Sequence, residues 1–325
     1  MKTLTIGLTA FFTTILFAQT YPPQAGISGT TAIIKSSPLY VAWAIGNTVN
    51  RGLINKADPT FAIAGNNYAS FGEPNNAVGF PDGNVVSLGD GGNAILTFAT
   101  PIANGNGPDF AVFENASFDY LELAFVEVSS DGIHYFRFPA HSQTQTITQI
   151  GTFDSPNPTY LNNLAGKYYG DYGTPFDINE LPNDPLLNKN QIFFVKVTDV
   201  VGSTNTLLGS FDSFGNLTND SFPTPFASAG FDLQAVGVIN QQVLGSNKID
   251  ETKISLYPNP IVDFLYVQTD QVVNVAIFDN YGRKVFEKNN AEALKIDLSG
   301  LIKGVYFIKF NNNENQISIR KLIKK

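Results

Sequence analysis

Cysteine is absent from the 325 residues, and the chain has only two histidines and one tryptophan. Without cysteine the chain forms no disulfide and takes no lipid on a cysteine anchor. Stability must therefore come from burial of apolar side chains. A hydrophobic content of 43%, with 13% aromatic residues, supplies enough of them for a packed core and argues against disorder.

The sequence also lacks the signatures of several enzyme classes. It contains no G-x-S-x-G and no H-E-x-x-H motif. His134 and His141 stand seven residues apart with no cysteine nearby, which is not the spacing of a zinc site. A Ser-His-Asp triad assembled from distant loops has no positive support in the sequence.

Residues 1–18 have the layout of a secretory signal peptide. Lys2 precedes an apolar segment from Leu4 to Phe17, and a small residue, Ala18, follows it. We expect cleavage after Ala18, because the segment is short for a bilayer span; an uncleaved anchor is the alternative. No later segment approaches the roughly 18 uninterrupted apolar residues of a membrane helix, so we expect no transmembrane segment after the signal is removed.

Charge divides the chain into two regions. Residues 19–252 carry 8 Lys and Arg against 21 Asp and Glu, whereas residues 253–325 carry 11 against 7. The break coincides with the polar stretch QQVLGSNKIDETK, which predicts a body over 19–245, a linker over 246–252 and a C-terminal domain over 253–325. An acidic body disfavours nucleic acid and anionic membranes as partners, and it is compatible with cations or with simple solubility.

Residues 107–135 predict two strands that form a hairpin across a short polar loop. The alternation of aromatic and β-branched residues gives the strands, and Asp-Gly at 131–132 marks a tight turn after the second. Acidic residues lie within or beside these apolar runs, so their carboxylates either face water or converge on a cation; they are Asp109, Glu114, Glu122 and Glu127. The rest of the body predicts strands and loops and almost no helix.

Two aromatic features allow two interpretations each. Trp43 is either a sugar-stacking platform or a core residue, and its apolar neighbours favour the core. Three tyrosines share a loop with glycines at 166, 170 and 173, and they form either the rim of a binding site or a lid on the edge of the fold. These tyrosines are Tyr168, Tyr169 and Tyr172.

A family resemblance covers residues 77–240. The series AVGFPDG, VVSLGDGG, GPDFAVFEN, AFVEVSSDG, NLAGKYYGDYGTPFD, VTDVVGS and GFDLQAVGVIN resembles a group of bacterial cell-surface proteins with a galactose-binding-like jelly roll. The resemblance implies an all-β body, a sandwich related to discoidin-type and carbohydrate-binding modules, often with a structural calcium. It conveys fold and location more than activity.

A second resemblance covers residues 254–325. The stretches ISLYPNPIVDFLYVQ, VAIFDNYGRKVFE, ALKIDLSGLIKGVYFIKF and ISIRKLIKK are similar to the C-terminal sorting domain, type A, of the type IX secretion system of Bacteroidota. The resemblance implies a small immunoglobulin-like β-sandwich that directs export across the outer membrane through the secretion machinery, to the cell surface or the medium. The motif residues are Pro258, Asn259, Pro260, Gly304 and Tyr306.

Two functional classes remain for the body. The first is a noncatalytic binding protein, with a glycan as the expected ligand and the three tyrosines as the expected contact. The alternative is a carbohydrate-active hydrolase that uses a carboxylate pair such as Glu114 and Glu127 as acid and base. An open cleft holding two carboxylates about 5 to 10 Å apart would favour the hydrolase, and a flat or rimmed aromatic surface would favour binding.

The last expectation is a structural calcium site with no role in chemistry. Asp109 precedes the first strand of the 107–135 stretch, Glu114 ends it, and Asp232 enters the last long strand of the body. If these strands are neighbours, Glu114 and Asp232 approach each other, and a cation relieves the repulsion of their charges. The alternative is that the three carboxylates cap turns or accept backbone hydrogen bonds.

Overall fold

The computed structural model describes residues 20–117, 120–242, 254–312 and 317–325. The chain divides into two compact units, and the boundary falls between Gln242 and Val243. The predicted signal peptide, 1–18, and the predicted linker, 246–252, lie outside the described residues. Among the helices described, none has the length and apolarity that a bilayer crossing requires.

The first unit is the body, and its described residues form thirteen strands. In chain order these are β1 (Ile33–Ile34), β2 (Ala42–Trp43), β3 (Gly46–Asn50), β4 (Val86–Ser87), β5 (Asn93–Ile102), β6 (Phe110–Glu114), β7 (Ala124–Ser129), β8 (Phe136–Arg137), β9 (His141–Ser142), β10 (Leu161–Asn162), β11 (Tyr172–Phe176), β12 (Ile192–Asp199) and β13 (Asp232–Val238). Short 3-10 helices lie at Pro74–Ala77, Pro158–Tyr160 and Ile178–Glu180.

Two large antiparallel sheets, together with a two-stranded sheet of β9 and β10, make up the described part of the body. The first has the order β1-β11-β6-β13-β2, with β4 also paired to β13, and the second has the order β3-β5-β12-β7-β8. One large cluster of buried apolar side chains draws on both sheets, and it includes Phe110, Val126, Val197 and Val236. The predicted all-β sandwich is thereby confirmed, because each sheet buries one apolar face against the other.

The predicted hairpin within 107–135 is wrong, although both of its strands exist. β6 pairs with β11 and β13 in the first sheet, whereas β7 pairs with β12 and β8 in the second. The connection between β6 and β7 therefore crosses from one sheet to the other. Both strands are rich in apolar residues, and each lies between two other strands of its own sheet. The Asp-Gly turn is present, with Gly132 at φ +76°, and it joins β7 to β8.

Trp43 lies on the outer face of the first sheet, away from the main core. Its ring packs against Tyr40, Phe80 and Phe113, with centroids 5.0 to 5.6 Å apart. Gly237 lies opposite Trp43 in the strand register, and a Cβ there would come within 2.8 Å of the indole ring. The aromatic cluster therefore covers β6 from outside, which explains why every residue of β6 is buried.

The second unit contains five strands among its described residues. They are β14 (Ile254–Tyr257), β15 (Phe264–Asp279), β16 (Lys284–Asp297), β17 (Gly304–Asn312) and β18 (Ile317–Lys324), in the order β14-β15-β17-β18 with β16 also on β15. Their inward residues form a separate core that includes Leu265, Ile277, Ile308, Phe310 and Leu322. This unit matches the predicted immunoglobulin-like β-sandwich.

Asn259, a residue of the predicted sorting motif, acts as a partner for the backbone of β18. Its side-chain amide donates to the carbonyl of Lys321 at 2.9 Å, and its side-chain oxygen accepts from the amide of Ile323 at 2.9 Å. Ile261 continues the contact with a backbone hydrogen bond to Ile323. The Pro-Asn-Pro segment therefore covers part of the edge of β18, which would otherwise be open to pairing with another chain.

Candidate functional site: a pocket with buried carboxyl groups

A pocket of about 340 Å³ opens in the body where β6 ends and β13 begins. The strand register places Glu114, the last residue of β6, opposite Leu233, directly beside Asp232. We call this feature the acidic pocket. Its lining residues are Glu114, Asn115, Ala116, Ser117, Tyr120, Glu122, Phe153, Phe226, Ser228 and Asp232.

Glu114 is the most buried acid of the pocket, with 2% of its surface exposed. Its Oε2 atom is buried and has no hydrogen-bond partner among the residues that the structure describes. Burial raises the pKa of Glu114 well above its usual value, and the nearby charge of Asp232 raises it further. The side chain therefore holds its proton more tightly than an ordinary glutamate does.

Glu122 approaches from the segment between β6 and β7. Its Oε1 accepts a hydrogen bond of 3.2 Å from the hydroxyl of Tyr120. Burial again raises its pKa well above the usual value, and the negative charges of Asp232 and Glu114 raise the pKa further. Close packing fixes the backbone here, because a Cβ on Gly166, at φ +80°, would lie 1.8 Å from the Glu122 carbonyl oxygen.

Asp232 is the third acid of the pocket, and burial raises its pKa to about 6. The hydroxyl of Ser87 donates to its carboxylate, and the positive charge of Arg51 moderates the rise in pKa. Arg51 itself donates to the backbone carbonyls of residues 71, 72 and 87. Arg51 therefore provides a positive charge near Asp232.

Two further buried acids surround the pocket, and backbone amides satisfy both of them. Asp199 accepts from the amides of Gly91 and Phe231 at 2.8 and 2.7 Å, and Asp220 accepts from those of Leu123 and Ser221 at 2.7 and 2.8 Å. Burial raises the pKa of Asp220 to about 7 and that of Asp199 well above its usual value. These acids hold loops in place, whereas Glu114 retains an unpaired oxygen.

The rim of the acidic pocket is aromatic. Phe153 is 77% exposed and Phe226 is 38% exposed, and their ring centroids lie 5.8 Å apart. The two rings together leave an apolar area open to water beside the pocket, against which the apolar face of a ligand can pack. No motif around either residue signalled this pair, since the two come from loops more than 70 residues apart in sequence.

The structure brings together only two of the three predicted calcium ligands. Glu114 and Asp232 share the acidic pocket, but Asp109 lies at the other end of β6, about 16 Å away at the usual rise of a strand. Its carboxylate accepts from the amides of Gly105 and Ile178 and from the side chain of Asn240, at 2.7 to 2.9 Å. Asp109 therefore orders loops. The third acid beside Glu114 and Asp232 is Glu122, where the prediction had Asp109.

The carboxylate pair named for the alternative enzyme is also separated. Glu127 lies on β7 in the second sheet and forms an ion pair with Lys196 at 3.1 Å, on the neighbouring strand β12. It does not line the acidic pocket. Among the described residues, no group of three or more His, Cys, Asp or Glu has the arrangement of a metal centre.

The tyrosine loop is only partly available to a ligand. Tyr168 is fully buried, and its hydroxyl hydrogen-bonds Thr31 at 2.8 Å, so its ring has no surface to offer. Tyr169 and Tyr172 are partly exposed, and their rings meet edge to face at 5.8 Å. The loop does contact the acidic pocket, because the amide of Gly170 donates to the carbonyl of Ala116.

Comparison with known proteins identifies the second unit. Residues 255–325 match the family described as the secretion system C-terminal sorting domain. This match confirms the predicted type IX sorting domain and the predicted localisation, because proteins with this domain are secreted or held on the outer surface. A search of curated proteins found no match to the chain.

Solved structures give weak likenesses. PorZ, a surface component of the type IX secretion system of Porphyromonas gingivalis, is 15% identical over 28% of this chain and 14% of its own, with a TM-score of 0.22. An immunoglobulin-like β-sandwich protein of Bacteroides vulgatus is 14% identical over 22% of this chain and 85% of its own, with a TM-score of 0.21. A β-1,2-glucanase of Parabacteroides distasonis is 10% identical over 93% of this chain and 39% of its own, with a TM-score of 0.25. This chain therefore spans a small part of PorZ and under half of the glucanase.

Proposed function

We propose that the body is a noncatalytic binding domain that holds a glycan in the acidic pocket, on a protein that its sorting domain sends out of the cell. The observation that supports this proposal best is the unpaired Oε2 of Glu114, buried in a pocket that opens to solvent. An unpaired buried polar atom costs about 1 to 3 kcal/mol. A hydroxyl group of a bound sugar supplies the missing partner.

The rim supports the same ligand class. A sugar ring has an apolar C–H face and a polar edge, and protein sites bind such ligands with an aromatic surface beside a few fixed polar groups. Phe153 and Phe226 provide the aromatic surface, and Glu114, Glu122 and Asp232 provide the polar groups. A volume of about 340 Å³ is at the small end of ligand pockets, which favours the end of a glycan over the middle of a long chain.

Replacement of Phe226 by alanine should weaken glycan binding about tenfold, because loss of a buried apolar contact of this size costs more than 1 kcal/mol. The full chain without its leader is screened on a glycan array, and the strongest ligand is titrated by calorimetry. Phe193→Ala is the matched control, because Phe193 is 39% exposed and lies on β12 outside the pocket. Equal affinities of the two variants, or an array without any ligand, would contradict the proposal.

One observation favours the alternative, a glycoside hydrolase. Burial raises the pKa of Asp232 to about 6 and raises that of Glu122 well above its usual value, so the two acids hold their protons with different strength. A base and an acid in one pocket are what glycoside hydrolysis requires. Release of a shorter sugar from the bound glycan, lost in Glu122→Gln, would establish the enzyme and overturn the noncatalytic proposal.

Calcium is a further part of the proposal, with a revised set of ligands. Three buried acids in one pocket disfavour one another's ionisation, and a divalent cation relieves that repulsion. The residues fit such an ion in part: Glu114 has a free oxygen, and Glu122 and Asp232 line the same pocket. Backbone carbonyls and water would complete the six to eight oxygen ligands that calcium takes.

Calcium should raise the melting temperature of the protein, because a ligand that binds only the folded state stabilises it by about 2.7 kcal/mol at 100 times its dissociation constant. Melting of the full chain is followed by the fluorescence of Trp43, the single tryptophan, with calcium or with chelator. The Glu114→Gln variant should lose the shift, and exposed Glu73→Gln should keep it. Identical wild-type curves over a wide range of calcium would eliminate the ion.

A further inference from the structure

The sorting domain has an exposed apolar face on β17 and β18. Four apolar side chains there, 37% to 59% exposed, are Val305, Phe307, Ile319 and Ile323. Antiparallel register places Val305 opposite Ile323, and Phe307 lies opposite Phe278 on β15. Because residues opposite each other in a register share one side of a sheet, these side chains form one continuous surface, which we call the β17–β18 face.

The β17–β18 face is not the core side of its sheet. The alternate residues of the same strands, Tyr306, Ile308, Phe310 and Leu322, are buried and form the core of the domain. An antiparallel sheet with one covered face normally carries polar residues on its other face. β16 of the same domain mostly follows that rule, since its exposed positions include Lys284, Glu287, Lys288 and Glu292, with Val285 as an apolar exception. The apolar outer positions of β17 and β18 therefore need another explanation.

The β17–β18 face also has a shallow depression and carries positively charged side chains. A depression of about 430 Å³ beside the turn at 279–282 is lined by Phe278, Phe307, Lys309 and Ile319, among others. Lys309 lies opposite Ile319, and Lys321 lies opposite Phe307, so both lysines belong to the face. The acid at its border, Asp279, is neutralised by the side chain of Arg283 at 2.8 Å. The face is thus apolar and positively charged.

We infer that the β17–β18 face is the surface by which this domain docks on a protein of the secretion machinery, one that presents an apolar patch bordered by carboxylates. An exposed apolar patch on a folded domain usually marks an interaction site. The lysines specify an acidic border on the partner, since complementary charge steers association and rejects wrong partners. This inference rests on export through the sorting domain and does not depend on the ligand of the body.

An export assay of the full chain in its own bacterium tests the inference. Ile319→Asp places a negative charge in the middle of the face, and we expect at least tenfold less protein at the surface or in the medium, with the missing protein retained in the cell. Ile302→Asp is the matched control. Ile302 is 82% exposed and lies outside the face, and its hydrogen bond within the described part of the chain is at its backbone carbonyl, from the Tyr306 hydroxyl. This control should be exported like the wild type.

A milder substitution separates docking from folding. Ile319→Thr keeps a β-branched side chain that suits a strand and removes apolar area, so it should melt close to the wild type and still lower export several-fold. Normal export of both Ile319 variants would overturn the inference, even if a chain without residues 254–325 stays in the cell. It would also be overturned if Ile319→Asp only abolished a dimer or binding to anionic vesicles while export stayed normal.

Discussion

The body should resist unfolding better at pH 5 than at pH 8. Burial raises the pKa values of Asp90, Asp232 and Asp220 to about 6, 6 and 7, and it raises those of Glu114, Glu122 and Asp199 well above their usual values. A carboxyl group with a raised pKa binds its proton more tightly in the folded state than in the unfolded state. The stability that such a group contributes is fully present below about pH 4, near the pKa of the unfolded state, and it is lost as the pH rises through the pKa of the folded state.

The expected effect is large because several groups act in one direction. For Asp220 alone, a rise from 3.8 to about 7 corresponds to roughly 4 kcal/mol of unfolding free energy lost by pH 8. Acids with lowered pKa values, such as Asp58 and Asp82, act in the opposite direction, but their effect is confined to pH values below about 4. Lys167, whose pKa burial lowers to about 7, opposes the acids above that pH, but it is one group against six, so the buried acids determine the sign of the slope between pH 5 and pH 8.

Urea unfolding at pH 5, 6.5 and 8, followed by the fluorescence of Trp43, measures this dependence in the body alone, since no other tryptophan exists. Measurements are made with chelator so that calcium has no influence. Glu114→Gln removes one buried ionisable group, so it should flatten the profile and raise stability at pH 8. Exposed Glu73→Gln should leave the slope unchanged. A stability that is constant or rises from pH 5 to pH 8 would contradict the prediction.

Truncation of the chain after residue 250 should abolish export almost completely. The shortened protein lacks residues 255–325, the part that matches the sorting family, and it should accumulate inside the cell. The amounts in cells, on the surface and in the medium are compared by immunoblot with those of the full chain.

Two controls make the truncation informative. Trp43 remains in the truncated chain, so its fluorescence shows whether the body is folded in the retained protein. The Ile302→Asp variant of the full chain shows that a single surface charge in the sorting domain is tolerated. Export of the truncated chain at the normal level would mean that residues 255–325 do not direct secretion of this protein.

The sequence predicted strands better than it predicted their partners. Strands at 110–114, 124–129, 192–199 and 232–238 follow from local alternation and from β-branched and aromatic content. Alternation does not specify the neighbour of a strand, so β6 and β7 were assigned to one hairpin when they belong to opposite sheets. A loop of nine residues between two buried strands is long enough for either arrangement.

The sequence predicted part of the candidate site: two of its acids, but not its aromatic rim. Glu114 and Asp232 each stand at the end of an apolar strand, and the jelly-roll resemblance implies that these strands are neighbours; the register confirms that they are. Asp109 has the same local signature, but it lies at the opposite end of β6. The aromatic rim was not predictable, because Phe153 and Phe226 lie on irregular loops whose positions depend on the fold of the whole body.

The pairing of β6 with β13 also has a kinetic consequence. The walls of the acidic pocket come from residues 114 and 232, and neighbouring strands of the first sheet join residues 33 with 173 and 43 with 237. Such long sequence separations give a high contact order, and β-proteins of this kind fold in milliseconds to seconds where helical bundles take microseconds. The pocket therefore exists only after the most distant parts of the body have met, so ligand binding reports completion of folding and not its early stages.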